Sequence, residues 1–263
     1  MKVTIIGKGW VGQAMEKLFP DAYVYSNGKS GEVGTKEEAN KGDVAFICVP
    51  TPNKYLVPGQ IVGEAALDIS AVEESVAWCT CPLIVIRSTV NPGNTDHLIN
   101  KYNKAIVMQP EYLGETPNHP MYDQKTRQFL VIGGEPANRR KLIEAYTTVY
   151  NANTTIKQVT AYEAEIIKLT ENRAILFKTL QCQELYDVCE KANVDYYTIR
   201  DAVYGDDPRF NLWWTFIMKD KPRGCISKCI PKDVYAWCAW AESAGYYPEI
   251  TRAILKKNKE WVK

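Results

Sequence analysis

The chain opens on a short β-branched run in KVTIIG, closed by a glycine, and the QAMEKLF that follows spaces its apolar residues as a helix does until Pro20 stops it. The order predicted is strand, tight turn, helix. Further β-rich runs follow at AYVYS, DVAFICVP, PLIVIRST, KAIVMQPEYL and FLVIGG, separated by helical or loop material such as DISAVEESVAWC. Near-continuous apolar strands alternating with helices predict a parallel sheet covered on both faces, here over roughly residues 1–155. The pattern then changes. Residues 161–192, AYEAEIIKLTENRAILFKTLQCQELYDVCEKA, contain neither Gly nor Pro and carry a helical apolar stripe. They predict one helix about 45 Å long at about 1.5 Å per residue, a length that commonly links or underlies domains. Beyond it, DYYTIRDAVYG, FNLWWTF and DVYAWCAWAESAG predict helices with loops between them, and no internal repeat or low-complexity segment appears. The Trp213–Trp214 pair is expected in the core or at a subunit contact, in preference to a base-stacking site.

The first turn carries chemistry. GKGWVG fits G-x-G-x-x-G at Gly7, Gly9 and Gly12, after a strand and opening a helix, the context in which that pattern is informative. One glycine allows the tight turn, one lets backbone approach a pyrophosphate, and one lets helix and strand pack closely, with the phosphates at the positive end of the helix. A dinucleotide is therefore expected against Gly7, Gly9, Trp10, Val11 and Gly12. An NAD site usually has a carboxylate at the end of the second strand, for the ribose 2'-hydroxyl. Here that strand ends at Ser26 and Asn27, with Lys29 close by. NAD is the cofactor expected, and NADP stays open. The fold class that follows is α/β: a Rossmann-like doubly wound parallel sheet, then a smaller all-helical domain with a long connecting helix. Its boundaries are expected at residues 1–157 for the dinucleotide-binding domain and 158–263 for a helical domain.

Composition narrows the function further. The 263 residues hold 32 basic against 31 acidic side chains, a net charge of +1, which gives no reason to expect a nucleic-acid partner. No stretch approaches the ~20 apolar residues of a membrane span, and the glycine-rich start does not resemble a secretion signal, so a soluble, cytoplasmic protein is expected. The eight cysteines are scattered through apparent strands and helices and are expected as reduced thiols. CTC and CISKC lack zinc-ligand spacing and the only histidines are His97 and His119, so no metal site is expected. Cys225 and Cys238 are expected as buried apolar filler.

Five stretches then stand in order: CVPTP (residues 48–52), RSTVNPG (87–93), PEYLGE (110–115), KLTEN (168–172) and CIPKD (229–233). With the glycine turn they resemble the UDP-glucose/GDP-mannose 6-dehydrogenase family over nearly the whole chain, as a short form without that family's C-terminal nucleotide-sugar-binding domain. The resemblance implies a four-electron oxidation. The C6 alcohol of a nucleotide sugar becomes an aldehyde, a cysteine traps it as a thiohemiacetal, and the thioester formed next is hydrolysed to the carboxylate, with two NAD reduced. Carried over by motif position, Cys229 is the nucleophile and Asp233 its carboxylate partner. Lys168 and Asn172, four apart on one helical face, stabilise oxyanion charge and donate a hydrogen bond. Thr89 and Glu115 order or activate water, with Glu111 as support. Val49, Pro50, Thr51 and Thr89 join Ser26 and Asn27 in the cofactor set, and a homodimer is implied.

The chemistry agrees with these roles on its own terms. A thiolate is the reactive form of cysteine, so Cys229 needs a cation such as Lys168 or Lys232, and thioester hydrolysis needs a base for water. Where similar enzymes carry a glycine pair just before the cysteine, this chain has GCISKC, with Ile226 and Ser227 in those places. A dehydrogenase for a smaller alcohol or aldehyde, and an inactive dinucleotide-binding scaffold, are the alternatives.

Overall fold

The computed structural model describes residues 1–27, 31–54, 64–114, 123, 125, 129–217 and 222–262. The chain divides into two compact units, Met1–Pro52 with Leu67–Lys168 and Asn53–Ala66 with Leu169–Lys263.

The first unit is built on seven strands: β1 (Val3–Ile6), β2 (Tyr23–Tyr25), β3 (Val44–Ile47), β4 (Leu83–Ile86), β5 (Ile106–Met108), β6 (Phe129–Gly133) and β7 (Thr155–Val159). They lie in the order β2-β1-β3-β4-β5-β6-β7. Successive residues of the central strands enter opposite cores. Ile6, Ala45, Ile47, Ile84 and Ile86 pack on one face, and Ile5, Val44, Phe46, Leu83 and Val85 on the other. Burial on both faces is why these strands are near-continuous apolar runs. The helices that cover them are α1 (Trp10–Leu18), α2 (Lys36–Ala39), α3 (Ser70–Trp78), α4 (Asn94–Tyr102) and α5 (Pro136–Tyr146), with the start of α6 (Ala161–Ala192). The doubly wound sheet expected from the sequence is present, with one departure: β6 meets β5 antiparallel at Met108 and Gly133, while every other neighbouring pair runs parallel. β6 and β7 thus both run opposite to the other five strands, a reversed edge of the kind that mixed α/β sheets carry. The seventh strand was not anticipated, because TIKQV at the sheet edge has no fully buried residue and so no apolar run.

The second unit is helical. It contains the rest of α6, α7 (Tyr196–Arg200), which continues as a π-helical turn (Asp201–Asp206), α8 (Ile230–Ser243) and α9 (Glu249–Trp261). Leu176 and Leu180, one turn apart on α6, pack with Val234, Tyr235 and Cys238 of α8 and Leu255 of α9. A second cluster joins Cys182 and Cys189 to Tyr196, Tyr204 and Ile217. The long helix spans the residues expected.

FNLWWTF, in contrast, is not a helix, because local bonds hold it in turns. The Asn211 side chain accepts from the Trp213 amide at 3.2 Å, the Thr215 hydroxyl donates to the Leu212 carbonyl at 2.7 Å, and Trp214 takes φ +67°. Such bonds compete with helix formation. Trp213 is 54 % exposed, so the pair does not lie in a core. Among the described residues no helix is long and apolar enough to cross a membrane, and no cluster of three or more His, Cys, Asp or Glu could hold a metal.

Phe46 is fully buried and stacks on Phe19 with ring centroids 5.6 Å apart. Replacing it with alanine is expected to remove about 3–5 kcal/mol of stability, read as a lower urea midpoint for loss of the sheet's circular dichroism.

Candidate active site

In the first unit the order β2-β1-β3 reverses direction between β1 and β3, which makes the crevice at their C-terminal ends a topological switch point, where open α/β sheets bind ligands. Gly7 follows β1 with φ +100°, and a Cβ there would stand 2.5 Å from the Cys48 carbonyl oxygen at the end of β3. Gly12, inside α1, would place a Cβ 1.9 Å from the Gly7 oxygen. Neither position admits a side chain. Gly9, the N-cap of α1, has nothing within 4 Å of its would-be Cβ and no side-chain cap, and the first turn of α1 holds no acidic residue. The amides of Trp10, Val11 and Gly12 therefore head a helix whose open end suits an anion. These residues fit a dinucleotide pyrophosphate. Trp10 ties this turn to the PEYLGE segment, its indole N–H donating to the Gly114 carbonyl at 3.1 Å.

The neighbouring strand ends supply the rest of the expected cofactor set. Ser26 is buried after β2 and exchanges backbone bonds with Val33, while Asn27 is exposed. Val49 is half-buried, Pro50 exposed and Thr51 buried. The Ser88 hydroxyl donates to the Val49 carbonyl at 2.7 Å, and this bond sets the half-buried Thr89 beside the end of β3. Lys29 and Glu115 lie outside the described residues.

Below the same strand ends runs a buried polar group that the motifs only hinted at. Arg87 is fully buried, pairs with Glu111 and donates to the Gln109 side chain, whose oxygen also accepts from the Tyr146 hydroxyl at 2.6 Å. The Leu113 amide donates to Glu111 in turn. Glu111 is thus committed to holding the PEYLGE segment. Lys168 is buried on α6 with its ammonium 5.2 Å from the Tyr112 ring centre. One turn earlier on α6, Glu165 accepts from the Gly93 amide at 2.6 Å and the Thr95 amide at 2.8 Å. Burial pushes its carboxyl up to about 7, against the downward pull of Thr95 and Gly93.

In the second unit, Asn172 and Asp233 meet. The Asn172 amide donates to one oxygen of the buried Asp233 carboxylate at 2.6 Å and Lys232 donates to the other at 2.6 Å. Cys229 is the N-cap of α8, one turn ahead of Asp233, and its carbonyl accepts from the Asp233 amide at 3.0 Å. Pro231 sits in the first turn of that helix, where its missing N–H costs nothing. Of the eight cysteines, all of them described, Cys229 alone is exposed. Its thiol thus stands at the N-terminus of α8, open to solvent. Asn53 adds a support that the sequence reading passed over: its amide donates to the Ala65 carbonyl at 2.6 Å and to the Lys232 carbonyl at 3.1 Å.

Two expectations follow from this geometry. Gly12→Ala should lower the stabilisation that NAD gives in a thermal-shift titration and weaken its binding about tenfold or more, since the helix must move off the Gly7 carbonyl. Brief treatment of the folded protein with iodoacetamide should label Cys229 and leave the seven buried thiols unmodified by peptide mass spectrometry. Cys48 in particular is buried, which pushes its thiol up to about 12.

Comparison with known proteins bears on the family and the fold. The chain is 26% identical over 235 residues to UDP-glucose 6-dehydrogenase of Rickettsia bellii, covering 85% of this chain and 51% of that protein. It is 26% identical over 230 residues to UDP-glucose 6-dehydrogenase TuaD of Bacillus subtilis, covering 83% of this chain and 46% of that protein. The chain thus spans about half the length of these relatives. A UDP-glucose dehydrogenase from the archaeon Pyrobaculum islandicum shares the fold, with a TM-score of 0.80 at 22% identity over 98% of this chain and 68% of that one. Residues 20–153 match the NAD binding domain of the UDP-glucose/GDP-mannose dehydrogenase family and residues 162–260 match its central domain. The glycine turn precedes the first matched stretch and stands on its own geometry. With an NAD-binding domain and a central domain in the family's order, the chain belongs to the UDP-glucose/GDP-mannose dehydrogenase family.

Proposed function

We propose that the protein oxidises the C6 alcohol of a nucleotide sugar to the carboxylate, through a thiohemiacetal and a thioester on Cys229. The observation that carries this reading is the state of that thiol, exposed at the head of α8, with the Lys232–Asp233–Asn172 group one turn further on. NAD, when bound, supplies the acceptor for the two hydrides that the substrate loses. Gly7, Gly9, Trp10, Val11 and Gly12 would hold it by backbone and helix end, with Ser26, Asn27, Val49, Pro50, Thr51 and Thr89 around it.

The protein's residues take the remaining steps. The C6 hydroxyl gives its proton to an ordered water as its hydride leaves for NAD, and Lys168 and Asn172 hold the C6 oxygen while it is negative, first as the alkoxide and later as the tetrahedral adducts, where fixed charge and donors act most strongly. The Cys229 thiolate forms a bond to the aldehyde carbon, and the oxygen takes up a proton. After the second oxidation, water ordered by Thr89 and Glu115 attacks the thioester carbon, Glu115 takes the water's proton, and the C–S bond breaks to return the thiolate. Asp233, held between Lys232 and Asn172, keeps the amide of Asn172 oriented. Glu111, bonded to Arg87 and to the Leu113 amide, supports the hydrolysis step by fixing residues 110–114. The exposed Phe210, Leu212, Trp213 and Phe216 of the second unit support a homodimer assembled through that unit.

Incubation with NAD and UDP-glucose or GDP-mannose is expected to give two reduced cofactors per sugar acid, followed by absorbance and by mass spectrometry of the product. Cys229→Ser should abolish acid formation and leave the affinity for NAD within about twofold. Acid formed by the serine variant at the unmodified rate would remove the covalent route, and turnover of simple alcohols alone would replace the nucleotide sugar as substrate.

A further inference from the structure

The amides at the start of α4 are satisfied in an unusual way. A helix N-terminus normally takes its acceptor from its own N-cap side chain, Ser, Thr, Asp or Asn. Here the N-cap is Gly93 at φ +93°, with no side chain to offer, and the acceptor comes from a different element. Glu165, fully buried on α6, accepts from Gly93 with one oxygen and from Thr95 with the other, at 2.6 and 2.8 Å. A local cap would satisfy the helix equally well. An acceptor on α6 does one thing more, which is to fix the turn before α4 against one face of α6.

Both partners of this contact carry residues of the proposed reaction. Thr89 lies in the turn that Gly93 ends, and Lys168 lies three positions after Glu165, on the same helical face. The other side of the turn is also anchored. Ser88 bonds the Val49 carbonyl at 2.7 Å, while Asn91 accepts from the Leu67 amide at 2.8 Å and donates to its carbonyl at 2.9 Å. With that side tied to β3 and to Leu67, the Glu165 contact leaves the turn one position relative to α6.

We propose that Glu165 is a positioning residue that clamps the Thr89 turn to the Lys168 face of α6 and so sets the spacing between these two groups. The inference rests on the function proposed above for the roles of Thr89 and Lys168, whereas the clamp is a property of the fold.

The test compares unmodified protein with Glu165→Gln, which keeps one carbonyl acceptor, and Glu165→Leu, which keeps none, all without ligand. Amide hydrogen exchange by NMR should be faster by about tenfold or more from Thr89 through Thr95 in both variants, and larger in the leucine one, while β4 amides stay within about threefold. The rate at which acetic anhydride modifies Lys168, read by peptide mass spectrometry, should change by about threefold or more in the same order. Where the unmodified protein turns over, Glu165→Gln should lower kcat by about tenfold with KM and the Kd for NAD within about threefold. Faster exchange confined to Gly93 and Thr95, with Thr89 exchange and Lys168 reactivity unchanged, would reduce Glu165 to a helix cap and overturn the proposal. No turnover with any nucleotide sugar would remove the assigned reaction, and the exchange and labelling results would still decide the clamp. Should the leucine variant fail to fold, the near-isosteric glutamine variant carries the same readouts.

Discussion

Between the Gly7 carbonyl and the Cα of Gly12 there is no room for a methyl group, and between Gly7 and the Cys48 carbonyl there is scarcely more. This close approach of three backbone segments holds α1 tightly against the ends of β1 and β3. It decides where the helix's open N-terminus lies, and therefore where an anion is welcome. It also fixes the level at which the chain leaves β3, so that Val49 can accept from Ser88 and bring the Thr89 turn alongside. A bulkier residue at Gly12 would act on all of these together, because each is referenced to the same pair of strand ends.

The polar residues near those ends are held at a cost in stability. Arg87 and Glu111 are an almost wholly buried ion pair, and such pairs return little net stability compared with apolar residues of the same shape. What the pair provides is direction. The Arg87 guanidinium is occupied by Gln109 and by Glu111, and Glu111 in turn holds the Leu113 amide, so that residues 110–114 leave β5 along one path. Asp233 follows the same logic in the second unit. Its two carboxylate oxygens take Lys232 and Asn172, and a buried charge with both sides satisfied is rigid. In both groups the bonds fix the direction of a loop or a side chain, which apolar packing alone would leave free.

Much of this could be read from the sequence, and the parts that could not share a physical cause. The central strands announce themselves because burial on both faces demands apolar residues throughout, and the long helix because nothing in it breaks a helix. The glycine turn was legible because its spacing reports steric exclusion. Strand β7 was missed because an edge strand with mixed exposure has no apolar run. The helix expected at FNLWWTF failed because Asn211 and Thr215 form turn bonds that a composition-based reading weighs too little. Glu165 and Arg87 were passed over for a related reason. A charged residue within a helix or a strand end looks solvated until the fold shows that it is buried, and its partners lie 22 to 72 residues away.

The stretch before Cys229 shows how a local departure from the family pattern can carry its own logic. Gly224 resembles one of the glycines expected there for close approach of a sugar, yet its φ is +86° and a Cβ on it would stand 2.7 Å from the Asn258 side chain. That asparagine accepts from the Cys225 amide at 2.7 Å and donates to the Cys225 carbonyl at 3.2 Å. Gly224 is therefore required by α9, whatever the substrate. Three residues after Gly224, the Ser227 hydroxyl accepts from the amides of Cys229 and Ile230, both at 3.2 Å. A glycine in its place would leave these amides at the head of α8 without that acceptor, and they would be suited to a substrate oxygen. With Ser227 engaging them, these amides serve the fold of the turn before α8, as Asn258 serves the turn at Gly224.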